Sequence, residues 1–173
     1  MIVERMAKHP DDFKKGLFIT PMGRCHINQA FSVFQEQNPK TKIDNFLVLY
    51  GNISSHKIQH AFQNQSSVSD VIIARDNDDH VHALYVYNAK PKDIFRVDHI
   101  IIPGPLARQK ILKQFIEHMI NLALDFLCTT IHINNISNTD WKTLFLTEAG
   151  AKAINLNCLQ LNLISKEEEN EQN

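Results

Sequence analysis

Three cysteines and nine histidines carry the most reactive side chains of this sequence. Cys25, Cys128 and Cys158 are widely spaced and form no CxxC pair, and the odd count argues against a disulfide framework. His80 and His82 stand two apart, which puts both on one face of a strand. His56 and His60 stand four apart, which does the same on a helix. Either spacing could begin a metal site, but neither pair has a Cys or acidic partner at a recognisable ligand spacing, so no metal is expected. A third cluster is basic. Arg108, Lys110 and Lys113 follow the break Pro103-Gly104-Pro105 and open a helical pattern, where they read either as a solvated helix face or as phosphate contacts.

The elements that must position these groups belong to one domain. The chain has 173 residues, within the usual span of a single domain, and needs no disulfide or structural metal to bury a core. Its 18 Lys plus Arg nearly balance 19 Asp plus Glu, for a net charge of −1, which disfavours counterion-driven nucleic-acid binding. No apolar run is long enough to cross a bilayer, and Met-Ile-Val-Glu-Arg-Met lacks the order of a signal peptide. A cytoplasmic protein is expected, with one domain over residues 1–164. Residues 165–173, with four Glu in nine, are expected to be a disordered acidic tail.

The first half offers weak signals. A short strand over 2–6, a helix over 25–37 stopped by Pro39, and a helix capped by Ser54 or Ser55 are expected. The apolar run 46–50 reads as a buried strand or a helix segment. From Asp70 the pattern sharpens. Residues 71–75 and 82–88 flank the turn Asn77-Asp78-Asp79 and read as a hairpin, and a third strand covers 94–102. A strong amphipathic helix over 107–126 follows, then a strand over 129–133 and a helix over 140–148 capped by Asn138 or Thr139. Gly150 falls where a left-handed stop belongs, and 153–163 holds one or two final strands. A strand–helix–strand unit implies two parallel neighbours joined by a right-handed crossover. The expected class is therefore α/β, a mostly antiparallel mixed sheet with a central parallel pair and flanking helices.

This order, with particular residues in it, resembles the Gcn5-related N-acetyltransferase (GNAT) family over about 70–163. Ile101-Ile102-Pro103 stands where the family has V-x-P at a strand end. Phe115-Ile116 stands for the Leu pair of its helix and Ala123 for a late Ala. Asn138, Leu144-Phe145 and Ala149-Gly150-Ala151 echo N-x-x-A-x-x-L-Y-x-x-x-G-F, with the glycine one residue late. The departures lie in the loop Q/R-x-x-G-x-G/A, whose glycines would fall at Lys110 and Leu112 and whose leading residue would be Ala107. Phe145 replaces the family's Tyr, the usual acid for the departing thiolate.

The resemblance implies an N-acyltransferase that moves an acetyl or other acyl group from acyl-CoA to an amine by direct attack. The amine belongs to a small molecule or a protein substrate. Ile101, Ile102 and Pro103 would line the acyl donor, and Arg108, Gln109, Lys110 and Ile111 would meet its phosphates. Asn138, or a neighbour, would bond the pantetheine arm. Asp98 or His99 would be the base. Being adjacent, these two are expected to face opposite sides of the sheet, so that at most one enters the site. Tyr85 and Tyr87 read as core or pocket wall, and Trp141 as packing. The alternative reading is a GNAT-like domain without catalysis, an adaptor whose partner is another protein or a second copy of itself.

Overall fold

The computed structural model describes residues 17–105 and 107–163. The strand expected over 2–6 and the tail expected over 165–173 lie outside them. Along the described chain come β1 (Phe18–Pro21), a 3₁₀ turn (Arg24–His26), α1 (Ile27–Gln35), α2 (Ile43–Tyr50), α3 (Lys57–Asn64), β2 (Val68–Arg75) and β3 (Val81–Ala89). Then follow β4 (Phe95–Ile101), α4 (Arg108–Asp125), β5 (Thr130–Ile133), α5 (Trp141–Glu148), β6 (Lys152–Asn155) and β7 (Cys158–Asn162).

The strands form one sheet in the order β1-β2-β3-β4-β5-β7-β6. All neighbours pair antiparallel except β4 and β5, which run parallel across the α4 crossover. Alternation of side chains sends each central strand into two cores. On one face Phe34 of α1 and Phe46 and Tyr50 of α2 cover Val71, Ile73, Leu84 and Val86. On the other, Ile111, Leu112, Phe115, Met119 and Ala123 of α4 cover Tyr85, Tyr87, Phe95 and Val97, joined by Ala61 of α3 and Leu146 of α5. Each large apolar side chain buried there contributes roughly 1.5–3 kcal/mol by leaving water. No helix of the described residues is long and apolar enough to cross a membrane.

The structure decides several local expectations. The run 46–50 is the end of helix α2, with Phe46 and Tyr50 buried four residues apart while Val48 is 84% exposed. Helix α5 is capped by Asp140, whose carboxylate accepts from the Lys142 N–H, and not by Asn138 or Thr139. Helix α3 begins after His56 with no side-chain cap; Ser54 Oγ instead accepts from the His56 N–H. The final segment, expected as one or two strands, is two, a hairpin turning at Leu156-Asn157. Gly150 has φ +106°, the left-handed stop expected of it. Strand β1 escaped the reading because four residues ending in Pro carry little pattern, and Pro is tolerated on an edge strand.

Candidate active site

Two irregularities at β4 create a candidate site. Val86 pairs with His99 and Tyr87 with Val97, which leaves Asp98 as an extra residue in β4. Such a bulge kinks the strand and re-aims its side chains. The parity of β4 changes there: Phe95 and Val97 face the α4 core before it, and Ile100 and Ile102 face that core after it. The second irregularity is a parting of strands. β4 and β5 pair only over Phe95–Ile131, Arg96–His132 and Val97–Ile133, after which the Asn134 N–H bonds the Val97 carbonyl at 2.8 Å and the chain leaves. β4 continues to Ile101 without that neighbour. A notch opens between them.

The notch is lined with functional groups. Asn134 Nδ2 donates to the Asp98 carboxylate at 3.2 Å, and Asn135 Nδ2 donates to the Asp98 carbonyl at 2.8 Å. Asn135 holds φ +57°, a left-handed conformation that Asn tolerates better than most residues. From α5 the buried Lys142 reaches in, its Nζ donating to the Ile100 carbonyl at 2.8 Å and lying 3.4 Å from the Asp140 carboxylate. The remaining space is a cavity of about 20 Å³ bordered by His99, Ile100, Asn134, Asn135 and Lys142.

Electrostatics tie Asp98 and His99 to the same place. Burial holds the His99 imidazole below its usual 6.5; Asp98 opposes that shift and the Lys142 ammonium adds to it. Tyr50 is pushed up to about 12, by burial and then by the Asp98 carboxylate. His99 also meets the Phe34 ring edge-on at 5.0 Å between centroids. The expected strict alternation of Asp98 and His99 is therefore broken by the bulge, and both side chains border the notch region. A neutral imidazole and an adjacent carboxylate are suited to accepting a proton.

The other expected residues are spread more widely. Ile101 pairs with Leu84 and packs in the α1–α2 core, while Ile102 packs toward α4 and Pro103 ends the strand. Gln109 and Lys110 are exposed in the first turn of α4. Arg108 stacks its guanidinium on the Trp141 ring, 4.6 Å from the centroid, so Trp141 is a platform as well as a packing residue. Ile111 is buried in the core and its N–H is bonded to the Ala107 carbonyl, leaving it nothing to offer a phosphate. Asn138 is exposed in the loop before α5; the amides that reach the notch belong to Asn134 and Asn135. Lys142 and Tyr50 are the groups the sequence reading missed. Tyr50 was hidden in an apolar run, and Lys142 looked like any helix lysine.

Tyr85 and Tyr87 lie on the opposite face, both buried, with the Tyr85 hydroxyl 2.6 Å from His118 Nδ1. A hollow of about 490 Å³ adjoins Tyr87 and His118 there, next to the ion pair between half-buried Lys57 and buried Asp70 at 3.1 Å. It is far larger than the notch but opens on the α3–α4 side, away from Asp98 and His99. In the hairpin turn Asp76, Asp78 and His80 approach one another within 4.8 Å, but Asp76 Oδ1 is occupied by the N–H groups of Asp78 and His80, which shape the turn.

No family model and no curated protein matches the sequence. Solved structures do match. A GCN5-related N-acetyltransferase from Kribbella flavida aligns with a TM-score of 0.65 at 12% identity, over 87% of this chain and 99% of that one. The aminoglycoside 6′-N-acetyltransferase from Enterococcus faecium aligns with a TM-score of 0.62 at 9% identity, over 86% and 98%. A GNAT-family acetyltransferase from Staphylococcus aureus aligns at 0.61 and 12%, over 86% and 99%. At such identities the likeness establishes fold.

Proposed function

We propose that this chain, which has the GNAT fold with the sheet order, the single parallel pair and the bulged fourth strand described above, is an N-acyltransferase whose donor substrate is acetyl-CoA or another acyl-CoA and whose acceptor is an amine. The observation that carries this reading is the notch: β4 and β5 part beside a bulged Asp98, with His99 and Lys142 at the same point. Backbone groups of a strand alternate sides, and the Ile100 carbonyl points into the notch toward Lys142. The same alternation, carried one residue past the end of β4, would turn the Ile102 N–H to that side, beside Ile100. An N–H in that position can hold the oxyanion that forms when an amine attacks a thioester.

The donor's phosphates have a matching place. The N–H groups of Arg108, Gln109 and Lys110 lie in the first turn of an 18-residue helix with no side-chain cap, where negative charge is favoured. Arg108 and Lys110 add cationic charge. Leu112, one of the two residues at the family's glycine positions, is turned fully into the core, so only Lys110 stands at the mouth. In the reaction, Asp98 or His99, directly or through water, takes the proton from the amine as its nitrogen bonds the acyl carbon.

One observation favours the second reading, an adaptor that keeps the fold without the chemistry. Asn134, Asn135 and Lys142 already cross the notch and leave only about 20 Å³, which is smaller than any pantetheine arm. The two readings separate on ligand binding and turnover. Millimolar CoA or acetyl-CoA should raise the melting temperature of the folded protein, and acetyl-CoA should be consumed with at least one amine from a panel of peptides, polyamines and aminoglycosides. Folded protein that shows neither a shift nor turnover belongs to the adaptor reading.

A further inference from the structure

Acyl transfer from a thioester leaves a thiolate that must be stabilised or protonated, and the phenol that would do so by family pattern is Phe145 here. One turn earlier on the same face of α5 stands Lys142, in the notch itself. We propose that Lys142 is the acid for the departing thiol, an inference that rests on the acyltransferase reading. Its ammonium has three N–H bonds. One is spent on the Ile100 carbonyl at 2.8 Å and one can serve the Asp140 carboxylate at 3.4 Å. Among the described residues no partner takes the third, which leaves it for a sulfur seated between β4 and β5. A lysine that is only 6% exposed and reaches across a sheet is not a solubilising surface charge.

The step balances without a further reagent. The amine nitrogen bonds the acyl carbon and yields its proton to Asp98 or His99. The tetrahedral intermediate collapses, the carbon–sulfur bond breaks toward sulfur, and Lys142 Nζ gives a proton to the thiolate. Lys142 is left as a neutral amine beside the base that gained a proton, and exchange through water restores both. Asp140 from the start of α5 and Asp98 and His99 from β4 are the titratable groups facing it. The two Asn side chains that cross the notch hold no transferable proton at these pH values, so none of the other bridging groups can take the role.

The test measures steady-state acetyl-CoA turnover and the CoA-induced thermal shift for Lys142→Met, Lys142→Gln and Lys142→Met with Phe145→Tyr. Gln keeps a donor for the Ile100 carbonyl yet cannot give up a proton, so it covers the case in which Met fails to fold. We expect Met and Gln to lower kcat by about 10²-fold or more while the CoA shift persists. Phe145→Tyr should recover about tenfold of the Lys142→Met loss, because a phenol then stands one turn along the same face. A Gln variant with wild-type kcat would overturn the proposal and make Lys142 a structural bridge. So would a Met defect that the added phenol leaves untouched. Wild-type protein that binds CoA but turns over no amine overturns the acyltransferase reading, and the proposal with it.

Discussion

The family pattern places glycines at Lys110 and Leu112, so putting them back would look like a repair, and the structure assigns the two changes very different costs. Lys110 is the third residue of α4 and is exposed. Lys110→Gly removes no packing and should cost at most about 1 kcal/mol in helix propensity. Leu112 is wholly buried, in the cluster that includes Phe115 and Met119. Removing its side chain costs about 2–5 kcal/mol for the lost contacts and cavity. Glycine in the helix adds about 1 kcal/mol, for a total of about 3–6 kcal/mol. At roughly 2–4 °C per kcal/mol for a chain of this size, Lys110→Gly should lower Tm by up to about 4 °C and Leu112→Gly by about 6–24 °C. The assay is thermal unfolding of both variants with and without millimolar CoA. Lys110→Gly should keep or enlarge the CoA shift, since it clears the mouth of the helix. A Leu112→Gly melting point within about 4 °C of wild type would refute the packing described for α4, and with it the placement of the phosphate end.

Asp98→Asn and His99→Gln should each leave the CoA shift nearly intact, while at least one lowers kcat by roughly 10²–10⁴-fold; full activity in both removes them from the reaction. Phe145→Tyr alone should not abolish turnover and should raise it if the hydroxyl reaches the sulfur, as acetyl-CoA consumption against the amine panel will show. Stability should fall as pH drops below about 6.5: burial lowers the folded-state pKa of His99 and His118, so the unfolded chain takes up protons first and the neutral-form advantage is lost toward the lower folded values. Asp70, raised by burial against the pull of Lys57, works in the opposite sense only between 3.8 and its raised value. Urea midpoints from pH 7.5 to 5 check this, and a His99→Gln variant with the same pH dependence as wild type would contradict it.

The second half of the fold was legible because its signals are local. The turn chemistry of 77–79, the alternation of Ala83, Tyr85 and Tyr87 and the three-four spacing from Ile111 to Ala123 each specify one element, and the crossover rule then fixes the parallel pair. The first half was not. Helix α2 exposes Leu47, Val48 and Leu49 and buries only Phe46 and Tyr50, so its apolar run carries no period to read. For the candidate site, the sequence pointed to Asp98 and His99 on β4 but not to the geometry around them. A bulge inserts one residue without a sequence mark, and it is the bulge that lets adjacent Asp98 and His99 border one notch. Likewise Asn138 fits the family spacing, while the amides that reach β4 lie three and four residues before it, where the left-handed Asn135 turns the chain.

The side chains that fill the notch follow from the notch itself. Where β5 leaves, the carbonyls of Asp98 and Ile100 lose the strand that would have donated to them, and a buried carbonyl without a donor costs about 1–3 kcal/mol. Asn135 and Lys142 meet those two carbonyls. The Asn135 bond contributes a net of about 0.5–1.5 kcal/mol, because the alternative is a bond to water, and the Lys142 bond, from a charged donor, about 1.5–3 kcal/mol. A pantetheine arm carries two amide N–H groups of its own, so on entering it would exchange with Asn135 at the Asp98 carbonyl, with Lys142 staying on Ile100. The net loss is then on the order of one hydrogen bond, about 1 kcal/mol, worth less than a tenfold change in affinity. A bridge of that strength would weaken donor binding by less than tenfold without forbidding it, so a folded protein that shows no shift at millimolar CoA could not be explained by the Asn135 bridge alone.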